Sequence, residues 1–322
     1  MVDAVLKKCS ALLAAVLIMA TAWSLLRLPG SNLQMVTFAF LSSAALCNTT
    51  GLNERIKQCI QIVGWAATIQ FLFSITANYP LIRINISALC SFLTLIAIPD
   101  KSHSTIILLT AFLALSAPSG FTAALNRSLD IIFAGIVVLA VTTLCNLFVR
   151  QDESASPAPA APSYSIRQAA AVTAEITIGF IISLIINHKQ AVWIMLTTIF
   201  ILMSESRQLP AAKIVPERIA ATPLGILFAG IYLATLCNID YRWCYIVPFT
   251  GTLGFFILYL KKDYFLFTFL FMFSVSVFND WMLGTGKSFH FAEIMFVRSL
   301  ATVIGGTLVL CGKFFMLKEK TS

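Results

Sequence analysis

One carboxylate and two arginines carry most of the chemistry open to this chain. Glu175 lies nine residues beyond Ile166 in an otherwise apolar run, about 13 Å along a helix and so near the midplane of a bilayer that such a helix crosses. A charged side chain at that depth costs about 2.5–3.5 kcal/mol on insertion scales, so its retention calls for a reason. A carboxylate taken out of water favours its protonated form, which would let it load and release a proton between two aqueous sides. The alternative is a structural ion pair, for which Arg298 is a suitable partner. Arg127 and Arg298 open a repeated pattern, Arg127-Ser128-Leu129 with Gly135 eight positions on and Arg298-Ser299-Leu300 with Gly306 eight positions on. Arginines related in this way could face each other across a pseudo-two-fold axis and present guanidinium forks to a carboxylate. They could equally be interfacial side chains snorkelling from helix ends. Asp130, three residues after Arg127, and Glu293, five before Arg298, have no acidic counterparts in the other half, where Ala301 and Thr122 stand. They are candidates to relay protons or to neutralise the arginines locally.

The elements that must hold these groups are written twice. Glu54-Arg55-Ile56 returns as Glu217-Arg218-Ile219, and Met35, Thr37 and Phe40 return 160 positions later as Met195, Thr197 and Phe200. Duplication of a polytopic segment is the usual sequence sign of a transporter, because cargo can then sit between two rocking halves. Apolar runs predict spans over 10–26, 33–47, 57–75, 81–98, 104–117 and 128–148, then 167–186, 191–203, 219–236, 243–260, 264–278 and 291–312. Between the two sets, Gln151 to Ser165 is rich in Pro, Ser and Ala with Asp152 and Glu153, a composition that marks a connector. The expected fold is therefore an all-α polytopic membrane protein of about twelve transmembrane helices. Two parallel six-helix repeats, residues 1–150 and 167–322, are joined by a cytoplasmic linker at 151–166.

Composition agrees with that class. The chain is 59% hydrophobic and only 11% charged, against about 25% charged in soluble domains. The net charge of +8 forms no basic stripe with interleaved aromatics, so it does not point to nucleic acid. With the N-terminus in the cytoplasm, fifteen of the 22 Lys and Arg fall on the inner side, which places both termini there. The opening segment, with Lys7-Lys8, an apolar stretch from Ala11 and Ala20-Thr21-Ala22, resembles a signal peptide. Its alignment with Arg167 onward leads us to expect it to be retained. The eight cysteines lack the spacing of a zinc or haem site. Cys237 and Cys244 flank a polar loop and would pair only in an oxidising compartment; we read them as free.

Segments two and five of each half are short and punctuated, by Pro29-Gly30, Pro118-Ser119-Gly120, Asn187-His188 and Asn279-Asp280. Short segments at matching repeat positions point to a binding region with backbone exposed to a cavity, or to tilt and local bilayer thinning. Arg55 and Arg218 follow a glutamate at predicted segment starts and read as topology determinants in helix-end ion pairs. Gly135, Gly225 and Gly306 read as sites of close helix packing. Trp193 stands out from the many aromatics as one that could line an aromatic-accepting cavity.

Trp193 and Thr197 in one short span, followed by Arg218, Thr222 and Gly225 opening the next, resemble the aromatic acid exporter superfamily, which includes the fusaric acid resistance proteins. Members show a Trp-x-x-x-Thr segment and then an Arg-x-x-Gly-Thr-x-x-Gly helix start. Here Ala221 stands at the first of those glycines, and the first half keeps Arg55 but has Cys59 and Ile62 at the Thr and second Gly positions. The resemblance implies export of aromatic carboxylic acids or similar amphipathic anions across the bacterial inner membrane. It also implies driving by the proton gradient, often beside a periplasmic adaptor protein. On that footing Arg127, Arg298, Trp193 and Thr197 are the expected cargo ligands, and Glu175, Asp130 and Glu293 the expected proton-coupling groups. No cofactor is expected. His103, His188 and His290 are scattered and no nucleophile, metal or phosphate-loop motif is present, so enzymatic chemistry is not expected. A passive organic-anion channel and a membrane scaffold without transport activity remain the rival readings.

Overall fold

The structure, a computed structural model, describes residues 51–98, 100–113, 120–148, 164–187, 189–205, 210–237, 250, 263–283 and 291–318. The expected spans over 10–26, 33–47 and, apart from Thr250, 243–260, most of the connector and Cys244 lie outside those residues. Within them every regular element is helical. The nine α-helices are α1 (Leu52–Ile75), α2 (Pro80–Ala97), α3 (Lys101–Leu113), α4 (Phe121–Phe148), α5 (Ile166–Ile186), α6 (Trp193–Glu205), α7 (Ala211–Tyr232), α8 (Tyr264–Leu283) and α9 (Phe291–Lys318). A single 3-10 turn, Lys189–Val192, leads into α6, and a π-helical turn, Leu233–Cys237, extends α7. Among the described residues, six helices are long and apolar enough to cross a membrane. This is a multi-pass membrane protein.

Local chemistry explains where several helices start. Ser165 and Gln168 form a reciprocal capping box at α5: the Gln168 backbone N–H donates to Ser165 Oγ and the Ser165 N–H to Gln168 Oε1, both at 3.2 Å. Asp263 accepts from the Leu266 N–H at 3.0 Å to cap α8, and Pro80 fixes the first turn of α2. At the far end of α5 the chain turns on Asn187 with φ 50°, a left-handed conformation that asparagine tolerates better than most residues.

The helices outrun their apolar stretches. The spans expected to begin at 57 and 219 begin at Leu52 and Ala211, and the one expected at 128 begins at Phe121. The reason is that hydropathy reads contact with lipid, whereas a helix continues as long as its backbone is bonded. Charged residues in the first turns sit on an outward face: Glu54 pairs with Lys57 and Glu217 with Lys213, each at 3.8 Å. The glutamates that precede Arg55 and Arg218 thus take lysine partners, not the helix-end pairs with these arginines that their adjacency suggested. Neither glutamate pairs with its neighbouring arginine, and both arginines turn inward and are buried.

The chain forms two compact units, Met1–Ile178 and Gly179–Ser322, dividing within α5. In the first unit α1 packs against α3 and α4. Ser128 Oγ donates to Ala67 O at 3.1 Å, Cys59 Sγ to Gly135 O at 3.5 Å and Arg55 Nη1 to Thr142 O at 3.5 Å, which pins α4 antiparallel along α1. Gly135 leaves room for Val63. In the second unit α7 packs against α8 and α9, and α9 also lies along α6. Gly306 faces Val215, while a Cβ at Gly225 would lie 2.6 Å from Phe269 O and one at Gly305 2.5 Å from Ile194 O. Gly225 and Gly305 mark backbone-to-backbone contacts that only glycine permits.

Two helices are too short to cross about 30 Å of hydrocarbon, since α3 and α6 each have 13 residues, about 20 Å of rise. Their described side chains from His103 to Phe112 and from Trp193 to Leu202 are buried on every face. A helix buried all round sits inside its bundle instead of against lipid. For these two, bilayer thinning is unnecessary, because helices that do not meet lipid need not match its thickness.

Candidate functional site

The second unit holds the site. Its central helix α6 is apolar from Trp193 to Met203 except for Thr197 and Thr198, and one face of α6 meets two buried guanidiniums from neighbouring helices at points seven residues apart. Arg298 projects from α9 seven residues after its first residue and is 1% exposed. Its Nη1 donates to Ser276 Oγ on α8 at 3.0 Å, and its Cζ lies 4.8 Å from the centroid of the Trp193 ring at the start of α6. Arg218, seven residues after the start of α7, is also 1% exposed. Its Nη1 donates to the Tyr264 hydroxyl on α8 at 2.8 Å, and its Cζ lies 4.7 Å from the Phe200 ring centroid further along α6. Each arginine thus stacks on an aromatic of α6 and donates to a hydroxyl of α8.

The helix register places these clusters at opposite ends of the bundle. Trp193 and Phe200 are seven residues apart on α6, about 10 Å of rise. Ser276 and Tyr264 are twelve apart on α8, about 18 Å. α7 and α8 run parallel, with Arg218 beside Tyr264, Phe228 edge-on to Phe269 and Tyr232 edge-on to Phe273. Between the clusters lie hydroxyls of Thr197, Thr222 and Thr268, all fully buried and without a hydrogen-bond partner among the described residues. Phe200, Phe267 and Phe271 surround the Arg218 end, with Phe200 and Phe271 centroids 5.0 Å apart. A cation held in apolar surroundings beside aromatic faces attracts an anion whose remaining surface is apolar.

The residues expected from sequence are distributed as follows. Arg298 and Trp193, 105 positions apart, are brought into contact, and Thr197 lies one turn beyond Trp193 beside Gly305. Arg298 is not the interfacial, snorkelling side chain that remained an open reading; it is enclosed by the bundle. In the first unit Arg127 is half-buried on α4, and Asp130 one turn on lies within electrostatic reach of it. Glu175 is buried on α5 at 6% exposure. Glu293 is exposed in the first turn of α9. Gly225 and Gly306 make close helix contacts in the second unit and Gly135 in the first. Thr222 lies one turn beyond Arg218.

The environment of Arg218 was not foreseen. Reading the helix start eight residues too late put this arginine at a membrane edge; Tyr264 carries no sequence signal among 7 Tyr, and Phe200 is marked among 26 Phe only by its repeat of Phe40. The signal available was the Arg-Thr-Gly spacing itself, which sets Arg218, Thr222 and Gly225 on one helical face.

Comparison with known proteins gives a match, and it falls on this unit. Residues 177–312 match the family model described as fusaric acid resistance protein-like. Over those residues the second unit is similar to that family. The match covers α6, α7 and α8 and nearly all of α9, so both arginine clusters lie inside the fusaric acid resistance protein-like segment. No curated protein and no solved structure matches the chain. The family and the helices together describe a membrane protein of transporter type.

Proposed function

We propose that this protein exports aromatic carboxylic acids, or related amphipathic organic anions, across the bacterial inner membrane in exchange for protons. The observation that carries the reading is Arg298 stacked on Trp193 in the interior of the family-matched bundle. A guanidinium supplies the charge a carboxylate needs, and an indole beside it supplies a face for an aromatic ring. Glu175, buried in a membrane-crossing helix, is the proton carrier: protonated from the acidic side and deprotonated toward the cytoplasm, it ties proton entry to anion exit. Asp130 and Glu293 tune the local charge. Twelve spans in two parallel repeats, both termini in the cytoplasm, complete the architecture, and a periplasmic adaptor protein would carry cargo onward.

Two features of the fold favour this arrangement. Each unit uses the same adjacency, α1 against α3 and α4 in one and α7 against α8 and α9 in the other, as expected of repeats. Each also contains a short helix buried on all sides, α3 at the fifth position of its half and α6 at the second, so these two are not repeat-equivalent and favour an enclosed interior in each unit. The test is uptake and release of radiolabelled benzoate by proteoliposomes holding the purified full-length protein, with and without an imposed pH gradient. Gradient-stimulated efflux that disappears in Glu175→Gln supports coupling. Efflux indifferent to both the gradient and Glu175→Gln makes the protein a passive conductor of anions.

A further inference from the structure

Arg298 accounts for one end of the second unit, which leaves the guanidinium at the other end to be explained. Arg218 uses Nη1 to reach Tyr264, but its Nε and Nη2 have no hydrogen-bond partner among the described residues, and no carboxylate pairs with it there. Burying a cation costs several kcal/mol even after relaxation, and leaving its donors unmade adds to that cost. The two idle nitrogens are not scattered. Nε and Nη2 lie along one edge of the planar guanidinium, the edge that donates two parallel hydrogen bonds to the two oxygens of a single carboxylate.

The surroundings fit the same ligand. Phe200 covers one face of the guanidinium at 4.7 Å, which orients its plane and leaves the edge to donate. Tyr264, accepting from Nη1, retains its own hydroxyl proton for a further acceptor. One turn along the parallel helices, Thr222 and Thr268 present buried hydroxyls that also lack partners among the described residues. Phe267 and Phe271 stack beside Phe200 with centroids 5.9 Å apart and supply an apolar wall.

We propose that the Nε–Nη2 edge of Arg218, with the Tyr264 hydroxyl, is a second carboxylate site for an aromatic monocarboxylate, at the opposite end of the bundle from Arg298. The two arginines then act as successive stations on one anion path through the second unit. This rests on the anion-export reading for its physiological meaning, but the site can be tested by binding alone.

The experiment measures benzoate binding to the purified full-length protein by saturation-transfer NMR, with benzamide and chloride as probes of the neutral isostere and of a one-point anion. Saturable benzoate binding, with no competition from benzamide and at most weak competition from chloride, is expected in wild type and in Arg298→Gln. Arg218→Lys keeps the charge but lacks the two-donor edge, and is expected to weaken benzoate at least about tenfold when made in the Arg298→Gln background. Tyr264→Phe is the second variant, expected to weaken benzoate severalfold, and Lys213→Ala, an exposed cation on the same helix, should leave it unchanged. Chloride competing as well as benzoate, equal binding of benzamide, no benzoate binding in a folded Arg298→Gln, or unchanged affinity in Arg218→Lys would each overturn the site. Binding with the expected pattern but no efflux from proteoliposomes retains the site and removes the transport reading; gradient-driven efflux with unaltered KM in Arg218→Lys does the reverse.

Discussion

Replacing Gly225 by alanine should separate the packing of α7 on α8 from every other contribution of that residue. An ideal Cβ at this position falls 2.6 Å from Phe269 O, 3.0 Å from Met272 Cβ and 3.2 Å from Phe273 N. An ordinary carbon–oxygen contact is about 3.3 Å, so α7 would have to withdraw from the α8 backbone by about 0.7 Å. A radial gap of that size forfeits a quarter to a half of the dispersion energy of each contact along the seam. Overpacking of this kind costs about 1–3 kcal/mol, and within a bilayer no hydrophobic term between helices makes up the loss. Alanine also gains about 0.8–1.0 kcal/mol over glycine in helix propensity, which masks part of the effect. Gly64 supplies the control, because a Cβ there meets nothing within 4 Å while the propensity gain is the same. The difference between Gly225→Ala and Gly64→Ala is therefore the packing term, about 1–3 kcal/mol, with Gly64→Ala itself slightly stabilising. Unfolding of the two variants in detergent, followed by far-UV circular dichroism, measures it. Equal shifts in the same direction would refute the close approach of α7 and α8.

Three further outcomes follow from the same contacts. Ser276→Ala removes the acceptor for Arg298 Nη1, and unfolding free energy should fall by about 1.5–3 kcal/mol, the range for hydrogen bonds to charged groups. Lys213→Ala breaks only a pair that is largely open to solvent, so its unfolding midpoint should stay within about 0.5 kcal/mol of wild type. Trp193→Leu keeps the volume apolar but removes the ring under Arg298, and efflux assays should show KM for benzoate rising severalfold while KM for an aliphatic carboxylate changes less.

How much of this was legible in the chain depends on what each feature asks of the sequence. Membrane-crossing helices announce themselves by length and apolar content, and the expected runs at 81–98, 167–186 and 291–312 fall on α2, α5 and α9. Helix starts were displaced wherever the first turns carry charge, because Glu54, Lys57, Lys213 and Glu217 satisfy themselves on an outward face while the backbone is already helical. That displacement hid the burial of Arg55 and Arg218. The meeting of Arg298 with Trp193 was within reach, since each residue type was individually unusual for its place. The hydroxyl acceptors were not: Ser276 for Arg298 and Tyr264 for Arg218 are chosen from many hydroxyls by helix register, and register between distant helices leaves no trace in a single sequence. Whether a given arginine meets a carboxylate is likewise set by three-dimensional packing, as the lysine partners of Glu54 and Glu217 show.

In the proposed transport cycle the buried guanidinium of Arg298 and the indole of Trp193 handle an anionic aromatic cargo. Gradient-driven efflux of radiolabelled benzoate from proteoliposomes, compared between wild type and Arg298→Gln folded to the same degree, tests this most directly. Rapid efflux in wild type and loss of most of it in Arg298→Gln is the predicted result. Equal efflux in the two proteins would contradict it.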